Sequence, residues 1–126
     1  MARPRIAIKR IYEPVDEGDG YRILVDRLWP RGISKAAAHI DLWLRDLGPS
    51  TELRRWFDHD PARWTEFSVR YRTELQEQEA LIEIIRQRAQ AGPVMLLYAA
   101  RDEERNQAVV LQNVLKQLLK RKRVAT

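Results

Sequence analysis

The sequence predicts an α/β domain of three layers, a small, mostly parallel sheet of three or four strands flanked by helices, and three observations predict it. Residues 5–12 (RIAIKRIY) and 21–28 (YRILVDRL) are short, β-branched and aromatic, as strands are. Residues 94–100 (VMLLYAA) are apolar without alternation, the pattern of a central strand covered on both faces. A long helical stretch separates the first two from the third, so a right-handed parallel crossover joins them.

The elements follow in order. Residues 5–12 alternate imperfectly between apolar and basic side chains and read as a half-buried edge strand. Residues 13–20 (EPVDEGDG) form a polar loop. The second strand is expected to end near Trp29, because Pro30 cannot donate to a ladder and Gly32 relieves backbone strain. Ser34 has the position of an N-cap for residues 35–38, and 39–47 alternate Ile40, Leu42 and Leu44 like a further strand, with helix as the alternative. Ser50 caps a short helix over 51–57, and Asp60-Pro61 opens another, with proline at the first helical position where its missing N–H costs nothing. Trp64, Phe67, Tyr71 and Leu75 share one face of that helix. The stripe restarts at Leu81, Ile84 and Ile85, which places a bend at 76–78, and Gly92-Pro93 stops the second helix. The last helix spans about 103–121, with Ala108, Leu111, Leu115 and Leu118 facing in.

The 126 residues, 44% apolar, 33% charged and without cysteine, form one domain over 1–126 whose core needs no disulfide or metal. The absence of cysteine excludes thiolate nucleophiles, zinc–thiolate sites and iron–sulfur ligation, and fits a reducing compartment such as the cytoplasm. No apolar run approaches the ~20 residues that span a bilayer, and residues 1–10 lack the apolar centre of a secretory signal. A cytoplasmic protein with no membrane partner is therefore expected.

The formal charge of +5 is concentrated at one end. Lys120, Arg121, Lys122 and Arg123 supply four positive charges, and the rest of the chain carries 19 basic against 18 acidic residues. The basic tail, residues 120–126, reads first as a solvated helix end whose cations complement the helix dipole. Binding of nucleic acid through Lys116 and this tail is the alternative.

The segments YRILVDRLWPRG (21–32), LGPSTELRRWF (47–57), HDPARWTEFSVRYRTEL (59–75) and LLYAARDEERNQAVVL (96–111) together resemble the YeaO-like group of bacterial proteins, domain of unknown function 488. The resemblance covers about residues 5–119. It implies a small α/β protein of the cytoplasm and brings no activity, cofactor or substrate with it. One departure stands out. The family's pattern after LLYAA commonly has histidines flanking the asparagine, whereas here Arg105 and Gln107 flank Asn106. A metal or general-base role for such histidines is closed to this chain.

Ligands of open α/β sheets bind beyond the carboxyl ends of the strands. The second strand delivers Asp26, Arg27, Trp29 and Arg31 to that edge, and the buried strand delivers Tyr98, Arg101 and Asp102, with Asn106 just beyond. If the two strands are adjacent and parallel, guanidinium groups collect there and suit a small anion bearing phosphate or carboxylate. Asp26 is the proton-handling candidate, since burial raises a carboxyl's pKa. Whether the site catalyses a reaction is open. An inert ion pair between Asp26 and an arginine, needed only for packing, is the competing reading. Asp102 has a structural role of its own as a presumptive N-cap, and Glu103 and Glu104 beside it repel anions. A third reading is a protein-interaction module with an exposed apolar helix face.

Other chemistries find little support. His39 and His59 lack the i, i+4 partner of a histidine metal site, so no metal is assigned. No nucleophile elbow surrounds Ser34, Ser50 or Ser68, and neither a G-x-G-x-x-G nor a Walker-type loop occurs. No cofactor is identified. Trp56 and Trp64 lie on apolar stripes, which leaves Trp29 as the candidate ligand wall.

Overall fold

A computed structural model describes residues 5–125, the side chains of 121–125 excepted. Its centre is a four-stranded parallel sheet in the order β1-β4-β2-β3, with β1 at Ile6–Arg10, β2 at Tyr21–Leu24, β3 at Leu42–Trp43 and β4 at Val94–Tyr98. The register sets Ile6 beside Val94 and Tyr21 beside Val94, so β4 lies between β1 and β2 as its unbroken apolar run requires.

The helices are α1 (Lys35–Ala38), α2 (Thr51–Phe57), α3 (Trp64–Leu75), α4 (Glu79–Ala91) and α5 (Gln107–Ala125). One face of the sheet packs Ile23, Val25, Leu96 and Tyr98 against α2, α3, α4 and α5, around Phe57, Phe67, Tyr71, Ile85 and Leu111. Each fully buried side chain of this kind contributes about 1.5–3 kcal/mol. The other face carries a thinner layer, in which Ile11, Leu24 and Leu97 meet Ala38 of α1 together with Trp29, Ile33 and Trp43. Three layers therefore form, as predicted, but of unequal weight.

The caps explain the element boundaries. Ser34 Oγ accepts from Ala37 N at 3.0 Å, and Ser50 Oγ accepts from Leu53 N at 3.1 Å. Asp60 accepts from Ala62 N across a short 3-10 turn at Pro61–Arg63 that runs into α3. Two glycines are required by close approach. Gly20, at φ +75°, sits where a Cβ would come within 2.3 Å of the Pro93 carbonyl, and Gly48 where one would come within 2.6 Å of Arg27 N.

Four expectations are corrected. The strand expected over 21–28 ends at Leu24. Val25 N still donates to Leu97 O at 3.1 Å, but one step further the Asp26 carboxylate replaces a backbone acceptor for Ala99 N, and the ladder stops. The segment 39–47 keeps only Leu42–Trp43 as strand before a 3-10 turn at Arg45–Leu47, because β3 meets a partner on one side alone. The strand expected over 94–100 ends at Tyr98, where the Ala99 and Ala100 carbonyls turn to the Arg10 Nε. The last helix starts at Gln107 rather than about 103. Asn106, not Asp102, caps it, with Oδ1 accepting from Val109 N at 3.2 Å, while Asp102 Oδ1 accepts from Glu104 N and Arg105 N and closes the preceding turn.

Candidate functional site

The ends of β2 and β4 lie side by side and parallel, as the site hypothesis needs. From this pair the chain departs in opposite directions. β2 leads to β3 on one flank, and β4 leads to α5, which packs back over β1. Such a divergence is where open α/β sheets offer a crevice.

Asp26 occupies that crevice. Its Oδ2 accepts from Ala99 N at 3.0 Å, and its Oδ1 accepts from the Gln107 side-chain amide at the start of α5. Its backbone carbonyl accepts from the Trp43 indole at 2.7 Å. Burial pushes the Asp26 carboxyl up to about 7, against the opposing pull of the Ala99 N–H, the Gln107 amide and the Arg54 guanidinium. No arginine forms an ion pair with it among the described residues.

The arginines do not pool as the sequence suggested. Arg27 turns towards the segment before α2, where Nε and Nη2 donate to the Pro49 and Gly48 carbonyls, both at 2.9 Å, and Nη1 lies 3.7 Å from Asp46. There it borders a cavity of about 200 Å³ with a floor of Leu47, Tyr71 and Leu75. Asp46, Glu74 and Glu77 outnumber the one guanidinium in its lining, which makes it unsuited to an anion. Tyr71 donates its hydroxyl to Leu47 O at 2.5 Å, and burial raises its pKa.

Arg31 and Arg101 are exposed and form no ion pair among the described residues. Arg10, at the end of β1, links their loops. Its Nε donates to the Ala99 and Ala100 carbonyls at 3.2 and 3.0 Å, its guanidinium lies 4.6 Å from the Tyr12 ring centroid, and the Tyr12 hydroxyl donates to Arg31 O at 2.7 Å. Arg10 thus ties the backbone of the Arg31 loop, through Tyr12, to the segment that precedes Arg101.

Sequence reasoning missed Arg10 and Gln107. The signal for Arg10 is its place as the last residue of a strand, level with Tyr98. Nothing local marks Gln107, whose partner is 81 residues away.

The other predicted residues make contacts within the protein. Trp29 donates its indole N–H to Ile33 O at 2.8 Å and meets the Trp43 ring edge-on at 5.4 Å, within the thinner layer. Tyr98 is buried on the helix face, which together with Glu103 and Glu13 raises its pKa. Asp102 is held below the usual carboxylate range by the N–H groups of Glu104 and Arg105. Asn106 is buried and also donates to Asp102 O at 2.9 Å.

His39 and His59 stand in left-handed turn conformations on the surface, at φ 50° and 54°. No three metal-ligating side chains gather among the described residues. No described helix is long and apolar enough to cross a membrane. Lys116 and Lys120 are exposed on α5, while the side chains of Arg121, Lys122 and Arg123 lie outside the described residues. Among the described residues, the large exposed apolar side chains (Tyr12, Val15, Leu28, Val69 and Ile84) come from four separate segments rather than one helix face.

Three comparisons place the chain among known proteins. A family model described as the inactive DUF488-N3 subclade matches residues 5–126. The uncharacterized protein YeaO of Escherichia coli K12 is 42% identical over 113 residues, which is 90% of this chain and 98% of that protein. The uncharacterized proteins Rv3073c of Mycobacterium tuberculosis H37Rv and Mb3100c of Mycobacterium bovis are each 41% identical over 111 residues, 88% of this chain and 93% of theirs. No solved structure matches.

Proposed function

The chain belongs to the DUF488 family, in the subclade described as inactive DUF488-N3, and from that premise we propose that it is a non-catalytic protein that binds a small phosphate- or carboxylate-bearing anion at its strand ends. The observation that carries the non-catalytic half is the partner of Asp26. A carboxyl tuned to about 7 suits general acid–base work, but it needs a second group to receive or return the proton. Gln107 fills that place with an amide, which does not titrate in water, and both histidines stand in exposed turns. Asp26 therefore acts as a pin between β2, β4 and α5.

The binding half rests on Arg31 and Arg101. Two exposed guanidinium groups without acid partners among the described residues, on loops whose backbones Arg10 and Tyr12 hold together, offer forked donors of the geometry that oxyanions accept. The cytoplasm remains the expected location.

A thermal-shift screen over inorganic phosphate, nucleoside monophosphates and small carboxylic acids tests the reading. A true ligand at a hundredfold its Kd adds about 2.7 kcal/mol of stability. The double variant Arg31→Ala/Arg101→Ala is expected to lose that gain while unfolding normally without ligand. Equal stabilisation of both proteins, or turnover of any stabilising compound, refutes it.

A further inference from the structure

Arg10, which ties the loops bearing Arg31 and Arg101, shares a partner with Asp26. Ala99 is the shared link, because its N–H donates to the Asp26 carboxylate at 3.0 Å while its carbonyl accepts from Arg10 Nε at 3.2 Å. The Asp26 carboxyl and the Arg10 guanidinium thus hold one residue, through its N–H and its carbonyl. We propose that anion binding at the Arg10–Arg31–Arg101 surface is coupled to the charge on Asp26, the bound form preferring a neutral carboxyl. The inference rests on the anion site proposed above and adds its regulation.

The surroundings of Asp26 make its charge the variable one. From α2 the Arg54 guanidinium acts on it through space without a hydrogen bond, from α3 comes the uncharged phenol of Tyr71, and from α5 the neutral amide of Gln107. β3 contributes only the Trp43 indole, to the backbone carbonyl. Arg27, next in the chain, is engaged by Gly48 and Pro49, and Glu74 by Ser50. Burial is the leading influence on the carboxyl and sets its proton exchange near neutrality. When Asp26 ionises, its negative charge opposes an oxyanion across the Ala99 segment. By linkage, an oxyanion must then raise the affinity of Asp26 for its proton by the same factor that the proton raises affinity for the oxyanion.

Sulfate is the suitable probe, since its charge is constant between about pH 5.5 and 8.5, whereas phosphate titrates near Asp26 itself. Calorimetric titration of the full chain is expected to show sulfate affinity falling about fivefold or more across that range, the lower bound of ordinary coupling. In Asp26→Asn, whose amide pairs with Ala99 N and with a flipped Gln107, affinity stays within about twofold at every pH. Carbon-detected NMR of wild-type Asp26 supplies a readout without a variant. Its titration midpoint lies near 7 and rises when sulfate saturates the protein.

Sulfate binding that ignores pH in the wild type, a slope that survives in Asp26→Asn, or a midpoint unmoved by sulfate overturns the coupling and leaves the anion site standing. Absence of sulfate binding at any pH overturns both.

Discussion

Two aspartates bracket β2 and meet opposite fates. Asp19, just ahead of the strand, is 4% exposed and sits between Lys9 at 2.7 Å and Arg22 at 2.5 Å. Arg22 is itself buried, its remaining donors on the His39 and Ala38 carbonyls at 3.0 Å. Burial works against the charge of Asp19, yet the hydrogen bonds from Lys9, the Asp16 N–H and Arg22 hold its carboxyl below the usual range. Asp26, just past the strand, has neutral donors instead, and burial pushes it up to about 7. The lesson is that burial favours the neutral carboxyl at both positions, and only the cationic partners at Asp19 offset it.

The largest way to break the comparison is Asp19→Asn. It leaves Arg22 buried without its counter-charge and is expected to lower stability by about 3–5 kcal/mol in urea unfolding at pH 7. Asp26→Asn in the same assay is expected to be neutral or stabilising at pH 8, because it substitutes a group that the fold already prefers uncharged. A large loss there would mean that the Asp26 charge is paired after all.

The pH dependence sharpens the contrast, since the two carboxyls act with opposite sign. The folded pKa of Asp26 is raised, so between about 4 and 7 the native state holds a proton that the unfolded chain has released. Its contribution is present in full below about 4, declines as pH rises through that window, and is flat above it. The folded pKa of Asp19 is lowered, so its contribution is present above the unfolded value of 3.8 and is lost as pH falls through the folded value. Denaturant midpoints from pH 3 to 8 should therefore lose their slope between about 4 and 7 in Asp26→Asn and keep it in the wild type.

A smaller effect is expected from Tyr71→Phe. It leaves the Leu47 carbonyl without its donor in the buried wall beside Asp26 and costs about 1–3 kcal/mol by thermal or urea unfolding. The smallest is Glu66→Gln, which breaks an ion pair with Arg70 whose partners are about half exposed. Less than about 1 kcal/mol is expected, because water screens and solvates both charges. A cost near that of Asp19→Asn would mean that pairing, rather than burial, sets the scale.

Local signals located most of the fold. Ser34, Ser50 and Asp60-Pro61 announced their helices, the face formed by Phe67, Tyr71 and Leu75 became core, and the apolar run of β4 became the centre of the sheet. The strand ends were misjudged because a ladder continues only while its neighbour offers backbone partners, and at Asp26 a side chain takes that role. The site was legible as a place more than as a set of residues. The edge that gathers Asp26 and Arg101 could be named from strand order, but the direction in which Arg27 turns depends on carbonyls more than twenty residues away.

Local sequence settled the α/β class, the starts of α1 and α2 and the buried central strand, because capping and periodicity act within a few residues and are written in neighbouring letters. Only the tertiary structure decided which aspartate keeps its charge, which arginine joins the strand-end surface and which amide closes the crevice. Those outcomes depend on water being replaced by donors from Ala99 and Gln107 or from Lys9 and Arg22, and burial of that kind exists only once the chain has folded.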